Sequence, residues 1–418
     1  MSSTPAGWIE VALSEILIIQ RGFAFKAEDY IPLDTNSVVC YRVTNIGERD
    51  FSENDKTYLP GCFFNQYKEY QLYTGDVLLV MVGATTGKIG FVPKTNRKIL
   101  LNQNAWKLSP KLDNLSQMFL KQSSRLWVEN HLMKMQGSAR EFLKSSDFLK
   151  EVVILPPLNE QKKIGEILTS VDKVIELTEI EIEKLKNLKK GMMQDLLTKG
   201  IGHTKFKDSP IGRIPESWDV VKNKEVTTLI TKGTTPTSVG YNFEDKGINF
   251  IKVESIVEDG VIDSKKFAYI SKECDETLRR SRLLENDVVM TIAGATVGKL
   301  AVIEKQHVPA NTNQALGIMR PDSKKINFMF LYYFLMSDFI KQEIGIIQTA
   351  GAQPNLSLAQ LSNYDILLPP LEEQRMIVSI LNSNDRLLKI KNKKLIDLQN
   401  LKKGLMQDLL TGKVRVKI

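Results

Sequence analysis

Two short loops in the chain have the residue types that handle phosphate. Gly83-Ala84-Thr85-Thr86-Gly87-Lys88 follows the apolar run Val77–Val82, and Gly294-Ala295-Thr296-Val297-Gly298-Lys299 follows Val288–Ile292. A glycine-rich loop after a strand, closed by a lysine, is the pattern of a nucleotide-binding loop. That chemistry needs four residues between the glycines and a Ser or Thr after the lysine to reach Mg²⁺. Here three residues intervene, and Ile89 and Leu300 follow the lysines. What remains to Lys88 and Lys299 is contact with a phosphate of DNA, beside the plainer reading of a glycine turn carrying a surface lysine. The Pro156-Pro157 and Pro369-Pro370 pairs are flanked by leucines (Leu155 and Leu158, Leu368 and Leu371). They lack the Asn/Asp-Pro-Pro-aromatic form of a methyltransferase catalytic loop. There is no G-x-G-x-x-G, no G-x-S-x-G, no metal-ligand helix and no nuclease-like acidic cluster with a lysine. Cys40, Cys62 and Cys274, with His131, His203 and His307, show no ligand spacing. An autonomous enzyme or a structural metal site is therefore not expected.

The elements that carry these residues are written twice. Ile154-Leu155-Pro156-Pro157-Leu158-Asn159-Glu160-Gln161 returns as Leu367-Leu368-Pro369-Pro370-Leu371-Glu372-Glu373-Gln374. Leu188-Lys189-Lys190-Gly191-Met192-Met193-Gln194-Asp195-Leu196-Leu197-Thr198 returns at 401–411 with one change, Met192 to Leu405. The N-terminal parts of the halves match more loosely: Trp8 parallels Trp218, Asn102-Gln103 parallels Asn313-Gln314, and the two glycine loops parallel each other. A repeat this long is a domain plus an appendage rather than a solenoid unit. Near-identical appendages imply one shared task, and divergent globular parts imply two different ones.

After each Pro-Pro pair the pattern predicts a helix of about 40 residues, roughly 60 Å long. Proline suits the start, Asn159 can cap it, and Glu160 suits the positive end of the dipole. Apolar residues recur in a four–three alternation at Ile164, Leu168, Val171, Ile175, Ile182 and Leu185, and again at Ile377, Leu381, Leu388, Leu395 and Leu398. Asn384 and Lys391 interrupt the second seam. Two matched helices of this length supply each other's apolar partner. The globular parts carry short strand-like runs (Val77–Val82, Ile99–Leu101, Val288–Ile292, Leu300–Ile303) followed by helical stretches near Ser116–Met135 and Phe328–Ile347. That order is α+β. The expected organisation is a globular domain over 1–155, a helix over 156–200, a linker and second domain over 201–366, and a helix over 367–418.

Composition narrows the class. Residues 371–418 hold 11 basic and 5 acidic side chains, most of the whole chain's net +8. Bulk charge alone therefore does not coat DNA. The longest apolar runs fall well short of the roughly 18–20 residues of a membrane span. The first residues show no basic or apolar leader, and three scattered cysteines fit a reducing cytoplasm.

The paired L-P-P-L-x-E-Q and L-K-K-G-x-M-Q-D-L-L-T blocks, with Lys207-Asp208-Ser209-Pro210-Ile211-Gly212-Arg213-Ile214-Pro215-Glu216-Ser217-Trp218 leading into the second half, resemble the specificity subunit of type I restriction-modification systems. The resemblance covers essentially the whole chain. It implies two target recognition domains, each reading one half of a split double-stranded DNA site. It implies two antiparallel helices, a coiled-coil spacer with an internal pseudo-twofold repeat. It also implies two adenine methyltransferase subunits and motor-nuclease subunits as partners. S-adenosylmethionine, ATP and Mg²⁺ would then sit on those partners and no cofactor on this chain. The expected location is the cytoplasm, with no membrane contact, and a homodimer is one form open to the isolated subunit.

Base reading needs Arg, Lys, Asn or Gln delivered by loops, and phosphate contact needs Lys, Arg, Ser or Thr. The DNA-binding candidates are Arg21, Lys26, Arg42, Asn45, Lys88 and Arg140 in the first domain. Those in the second are Lys232, Thr234, Lys252, Lys299 and Gln353. Trp8 and Trp218 read as core anchors. The alternative is a scaffold whose two domains bind protein, which predicts no sequence-specific DNA binding. A nucleotide-dependent enzyme built on Gly83–Lys88 would be removed by an unaffected Lys88→Ala variant.

Overall fold

The computed structural model describes residues 4–46, 57–135, 143–257, 260–349 and 355–418. The chain divides into two compact units, Met1–Ile180 with Lys393–Ile418, and Glu181–Asn392. Each holds an α+β domain and parts of both long helices.

In the first unit one antiparallel sheet runs in the order Leu17–Arg21, Ala105–Pro110, Val77–Val80, Ile89–Phe91. A second sheet runs Thr57–Leu59, Val38–Tyr41, Ile99–Leu101, Gln71–Leu72, with its two central strands parallel. Val77–Val80 is apolar throughout because both its faces are covered. Val77 and Leu79 enter a core with Trp106 and Phe119, while Leu78 and Val80 enter another with Val39 and Tyr41. The side-chain period of two assigns them to opposite sides.

The second unit repeats the layout. Thr227–Lys232, Leu316–Pro321, Val288–Thr291 and Leu300–Val302 form one sheet, and Ala268–Ile270, Ile248–Ile251 and Ala310–Thr312 the other. The place of Gln71–Leu72 is taken by a single bridge between Leu283 and Ala310. The expected helix near Ser116–Met135 spans Gln117–Lys134. The one expected over Phe328–Ile347 is broken into Phe328–Leu335 and Asp338–Thr349. Ser337 and Asp338 lie at the break, and such residues favour helix ends over interiors.

The long helices are α1, Leu158–Leu196, and α2, Leu371–Leu409. The carbonyls of Pro157 and Pro370 accept the N–H of Gln161 and Gln374, both at 3.0 Å. Proline thus supplies the first helical acceptor, and Asn159 lies inside the first turn instead of capping it. Both helices stop near a left-handed glycine, Gly200 (φ 67°) and Gly412 (φ 73°). A Cβ there would sit 2.7 Å from Trp218 and 3.2 Å from Trp8, so each glycine also makes room for a tryptophan.

Within each unit the helix segments run antiparallel. Asp172 pairs with Lys402 at 2.6 Å and Glu160 with Arg415 in the first unit. In the second, Glu181 pairs with Lys391 at 2.5 Å and Lys189 with Asp385 at 2.6 Å. Ile164 and Leu168 are buried in the first domain's core, where Leu405, Met406, Leu409 and Leu410 join them. Ile377 and Leu381 do the same in the second with Met192, Met193, Leu196 and Leu197. Further along, Ile175 and Ile182 are buried, and Val171, Leu185, Leu388, Leu395 and Leu398 are half-buried. Lys391 sits on the seam by placing its ammonium on Glu181, and Asn384 is buried there.

Candidate nucleic-acid interface and its helical mounts

The strand registers gather most of the candidates at one end of each domain. Arg21 is the last residue of its strand and faces Trp106, which faces Leu79, which faces Ile89. Arg21 and the Gly83–Lys88 turn therefore leave the same edge. Lys232, Gly317, Met290 and Leu300 form the equivalent row above Gly294–Lys299. In the second sheets, Arg42 follows Tyr41, paired with Leu101, and Lys252 follows Ile251, paired with Thr312. The two sheets are tied together at this edge by a glycine. A Cβ on Gly22 would stand 1.8 Å from the Asn102 carbonyl oxygen, and one on Gly233 1.9 Å from that of Thr312. Only glycine lets the chain cross there.

The glycine loops are hairpin turns. The N–H of Gly87 reaches the Val80 carbonyl and that of Gly298 the Thr291 carbonyl, both at 2.9 Å, and all four glycines have positive φ. Inside the turns the Thr86 and Lys88 N–H bond the Gly83 and Thr85 carbonyls, and the Val297 and Lys299 N–H those of Gly294 and Thr296. Lys88 and Lys299 are half-buried, with Lys299 Nζ 3.4 Å from the Ile256 carbonyl.

Arg21, Lys26 and Lys232 are exposed, and Thr234 is half-buried with its N–H on the Thr312 carbonyl at 3.1 Å. Lys26 lies 3.4 Å from Glu28. Lys252 pairs with Glu254 at 2.8 Å and lies over the Phe243 ring. Arg42 is half-buried. Asn45 is a correction: it is only 1% exposed, and its amide oxygen accepts the Arg42 N–H at 2.9 Å. Ser255 does the same for Lys252 in the second domain. The polar loop position that suggested base reading is the cap of a tight turn, so this side chain faces inward. Arg140 and Gln353 lie outside the described residues. At the same edge Leu143 N–H bonds the Met81 carbonyl and Leu356 N–H the Ile292 carbonyl.

The opposite end of the same strands carries the helices. Ala105–Pro110 is six residues, about 20 Å of extended chain, and beyond it Gln161 takes over. Its amide accepts the Ser116 N–H at 2.8 Å and donates to the Asn114 and Pro156 carbonyls at 2.8 and 2.9 Å. Gln374 accepts from the Asn327 N–H at 2.7 Å and donates to the Lys325 and Pro369 carbonyls at 3.2 and 2.8 Å. Both glutamines are fully buried.

Beside them, Trp8 Nε1 donates to Glu160 at 3.2 Å and Trp218 Nε1 to Glu373 at 2.9 Å. A further side chain closes each carboxylate: the Arg415 guanidinium on Glu160, and the His203 ring on Glu373 at 2.7 Å. The hydrogen bond from Arg415, more than that from Trp8, holds the Glu160 carboxyl below its usual range against the opposing effect of burial. A third contact lies one helical turn or more along. Gln122 donates to Asp172, which holds Lys402. Tyr333 donates to Asp385, which holds Lys189. Burial and the neighbouring Asp385 carboxylate push the Tyr333 hydroxyl far above its ordinary value, so it stays a donor.

The duplicated motif signalled that Glu160, Gln161, Glu373 and Gln374 mattered. Among their partners, Trp8 and Trp218 also show in the repeat, whereas Arg415, His203 and the loop backbone at Asn114, Ser116, Lys325 and Asn327 carry no such signal. No helix among the described residues is long and apolar enough to cross a membrane.

Known proteins resemble this chain in sequence and in fold. The family model of the type I restriction modification DNA specificity domain matches residues 5–187 and again 215–400. The type I restriction enzyme MjaVIII specificity subunit of Methanocaldococcus jannaschii is 33% identical over 84% of this chain and 81% of its own. The EcoBI specificity subunit of Escherichia coli is 26% identical over 89% of this chain and 78% of its own. The S subunit of a type I restriction-modification system from M. genitalium shares the fold, with a TM-score of 0.60 at 13% identity, covering 100% of this chain and 98% of that one. The domain that appears twice, on twin helices, assigns this chain to the type I restriction-modification DNA specificity family: it is a specificity subunit, which serves DNA sequence recognition in such a system.

Proposed function

We propose that each globular domain reads one half of a bipartite double-stranded DNA site and that the helices set the distance between the halves. The observation that carries this reading is the recurrence of three cation positions, Arg21 and Lys232, Arg42 and Lys252, Lys88 and Lys299, at the end of each domain away from its helical mount. Loops at that edge deliver side chains to DNA, while the mount holds the domain to the helix that fixes its place on the duplex.

In this reading the helices recruit two copies of one adenine methyltransferase subunit, and motor-nuclease subunits join them. The support is outward-facing residues that recur in both helices: Val174 and Leu387, Leu177 and Ile390, Leu188 and Leu401 are all at least 40% exposed. Matched apolar surfaces suit identical partners. This chain would carry no catalytic group and no cofactor of its own, with S-adenosylmethionine, ATP and Mg²⁺ on the partner subunits. It would work in the cytoplasm, beside the DNA.

The test is mapping of methylated adenines after co-expression with the methyltransferase subunit in a methylation-free host. The expected result is a split motif, methylated on both strands and absent without this chain. Exchange of residues 1–155 for those of a relative should change one half only. A well-formed complex that adds no methylation would overturn the reading in favour of a protein scaffold.

A further inference from the structure

One pair of cations at the second domain's edge belongs to none of the positions considered so far. Arg279 and Arg280 are adjacent, both exposed, and occupy a single tight turn, Arg279–Ser281. Their neighbour Arg282 is spoken for: it bonds Asp275 at 2.6 Å and also pairs with Glu276. Glu276 is thereby held low, by Arg282 first and by Arg279 only as a distant charge. Among the described residues no carboxylate is seated on Arg279 or Arg280.

The turn is held from beneath by a buried amide. Asn311, fully buried, donates to the Leu278 carbonyl at 3.1 Å and to Asp275 at 3.0 Å. Its oxygen accepts from Ser281 Oγ at 2.8 Å and from the Thr312 N–H at 2.9 Å. A buried polar cluster with its bonds made is rigid, and it fixes what it carries. Thr312 is the residue whose carbonyl the Gly233–Thr234 segment crosses. The arginine turn also packs against the strand Thr227–Lys232. Arg279 and Arg280 thus stand beside the strand that ends in Lys232 and next to Asn311-Thr312 at the loop edge, on a turn that does not need to be ordered when DNA arrives.

We propose that Arg279 and Arg280 are DNA-contacting residues of the second domain, gripping the second half-site through its phosphates or its guanine edges. The inference rests on the bipartite-reading function above and adds a place on the domain. Arginine's planar fork suits both phosphate oxygens and the O6/N7 edge of guanine. Two of them on one rigid turn deliver that fork at low ordering cost. The first domain does not share the device. Lys68 and Glu69 occupy the equivalent turn, Lys68–Tyr70, and their charges oppose each other.

The experiment uses the complex of this chain with its methyltransferase subunits and duplexes carrying the mapped site. Arg279→Ala/Arg280→Ala should weaken binding roughly tenfold or more. If the arginines hold phosphate, the loss is uniform across sequences and the salt slope falls by about 1 for each contact removed. If one reads guanine, the methylated motif relaxes at one position of the second half only. Lys224→Ala, an exposed lysine on the short helix Asn223–Val226, serves as the control and should bind as the parent does. A double variant with unchanged affinity, salt slope and motif overturns the proposal while leaving bipartite reading intact. A parent complex without sequence-specific binding overturns both.

Discussion

Gln161 and Gln374 hold the same place in two helices, and Leu100 and Asn311 hold the same place in two domains. Around the glutamines everything recurs: an N–H accepted, two carbonyls bonded, a tryptophan on the preceding glutamate, an aspartate–lysine pair further along. Around Leu100 and Asn311 almost nothing does. Leu100 lies among Phe25, Phe63, Tyr67 and Tyr70, a group of touching rings. Asn311 lies among Ser281, Asp275 and the backbone of Leu278. Either interior is complete in itself, so the fold tolerates both. The difference marks what each region must match. The mounts face a helix that is nearly the same twice, and the flanks of the second sheets support loops that, on the proposed function, face different DNA. Even the ion pair of the first sheets follows this rule. Asp76 takes Lys107 and Asp287 takes Arg320, the cation having moved two residues along the equivalent strand, which keeps it on the same face.

The largest effect expected from testing this comparison is at the glutamines. Gln161→Ala strands one N–H and two carbonyls in a buried mount, at about 1–3 kcal/mol for each group left without a partner. Allowing for partial relaxation, we expect a loss of about 3 kcal/mol, and the same for Gln374→Ala. Hydrogen exchange of the two domains reads each unit separately, which a single melting curve does not. Equal losses, each confined to its own unit, sharpen the comparison. A loss in one unit alone would break it.

A smaller effect separates the mounts themselves, because the group that closes the carboxylate is an arginine in one and a histidine in the other. Glu160 is held low by Arg415, so its folded pKa lies below its unfolded one. Such a group adds stability that is present above the ordinary carboxylate value, near 4.3, and is lost as pH falls through the lowered folded value. Acidification below about pH 4.5 should therefore loosen the Trp8 mount, seen as a change in Trp8 fluorescence with Trp106, Trp127 and Trp218 replaced by Phe. Glu160→Gln should flatten that transition, and Arg415→Ala should move it to higher pH. A transition indifferent to both would mean that the pair does not hold the mount.

How much of this was legible beforehand depends on sequence distance. The helices announce themselves through the spacing of Ile164, Leu168 and Ile175, because a 3.6-residue period is local. The repeat shows through the Pro-Pro blocks for the same reason. Asn45 looked like a base reader because a polar residue in a loop has the same appearance whether it caps a turn or meets a ligand, and only its burial tells the two apart. Arg279 and Arg280 drew no notice in a chain rich in lysine and arginine. What distinguishes them is that no carboxylate among the described residues is seated on them and that a buried amide, Asn311, holds their turn from 31 residues beyond Arg280, and neither is visible along the sequence. The topological edge that gathers Arg21, Lys88 and Arg42 depends on strand pairing between segments tens of residues apart, which no local pattern encodes.

The smallest expected effect concerns two glycines. Gly191 and Gly404 sit inside the repeated helical block, are exposed, and would meet nothing within 4 Å if a Cβ were added. A glycine in a helix interior costs about 1 kcal/mol relative to alanine, and no close approach among the described residues requires either one. The ring around each is the same, Asn187, Leu188, Gln194 and Asp195 matching Asn400, Leu401, Gln407 and Asp408. On the proposed function these are places where a methyltransferase subunit's backbone comes close. Gly191→Ala and Gly404→Ala should each stabilise the isolated chain by about 0.5–1 kcal/mol and weaken assembly with the partner, measured by titration calorimetry on the two variants separately. Equal weakening at both positions would extend the sameness of the mounts to the outer surface of the helices. Undiminished assembly would confine that sameness to the interior and leave the glycines without a role at the interface.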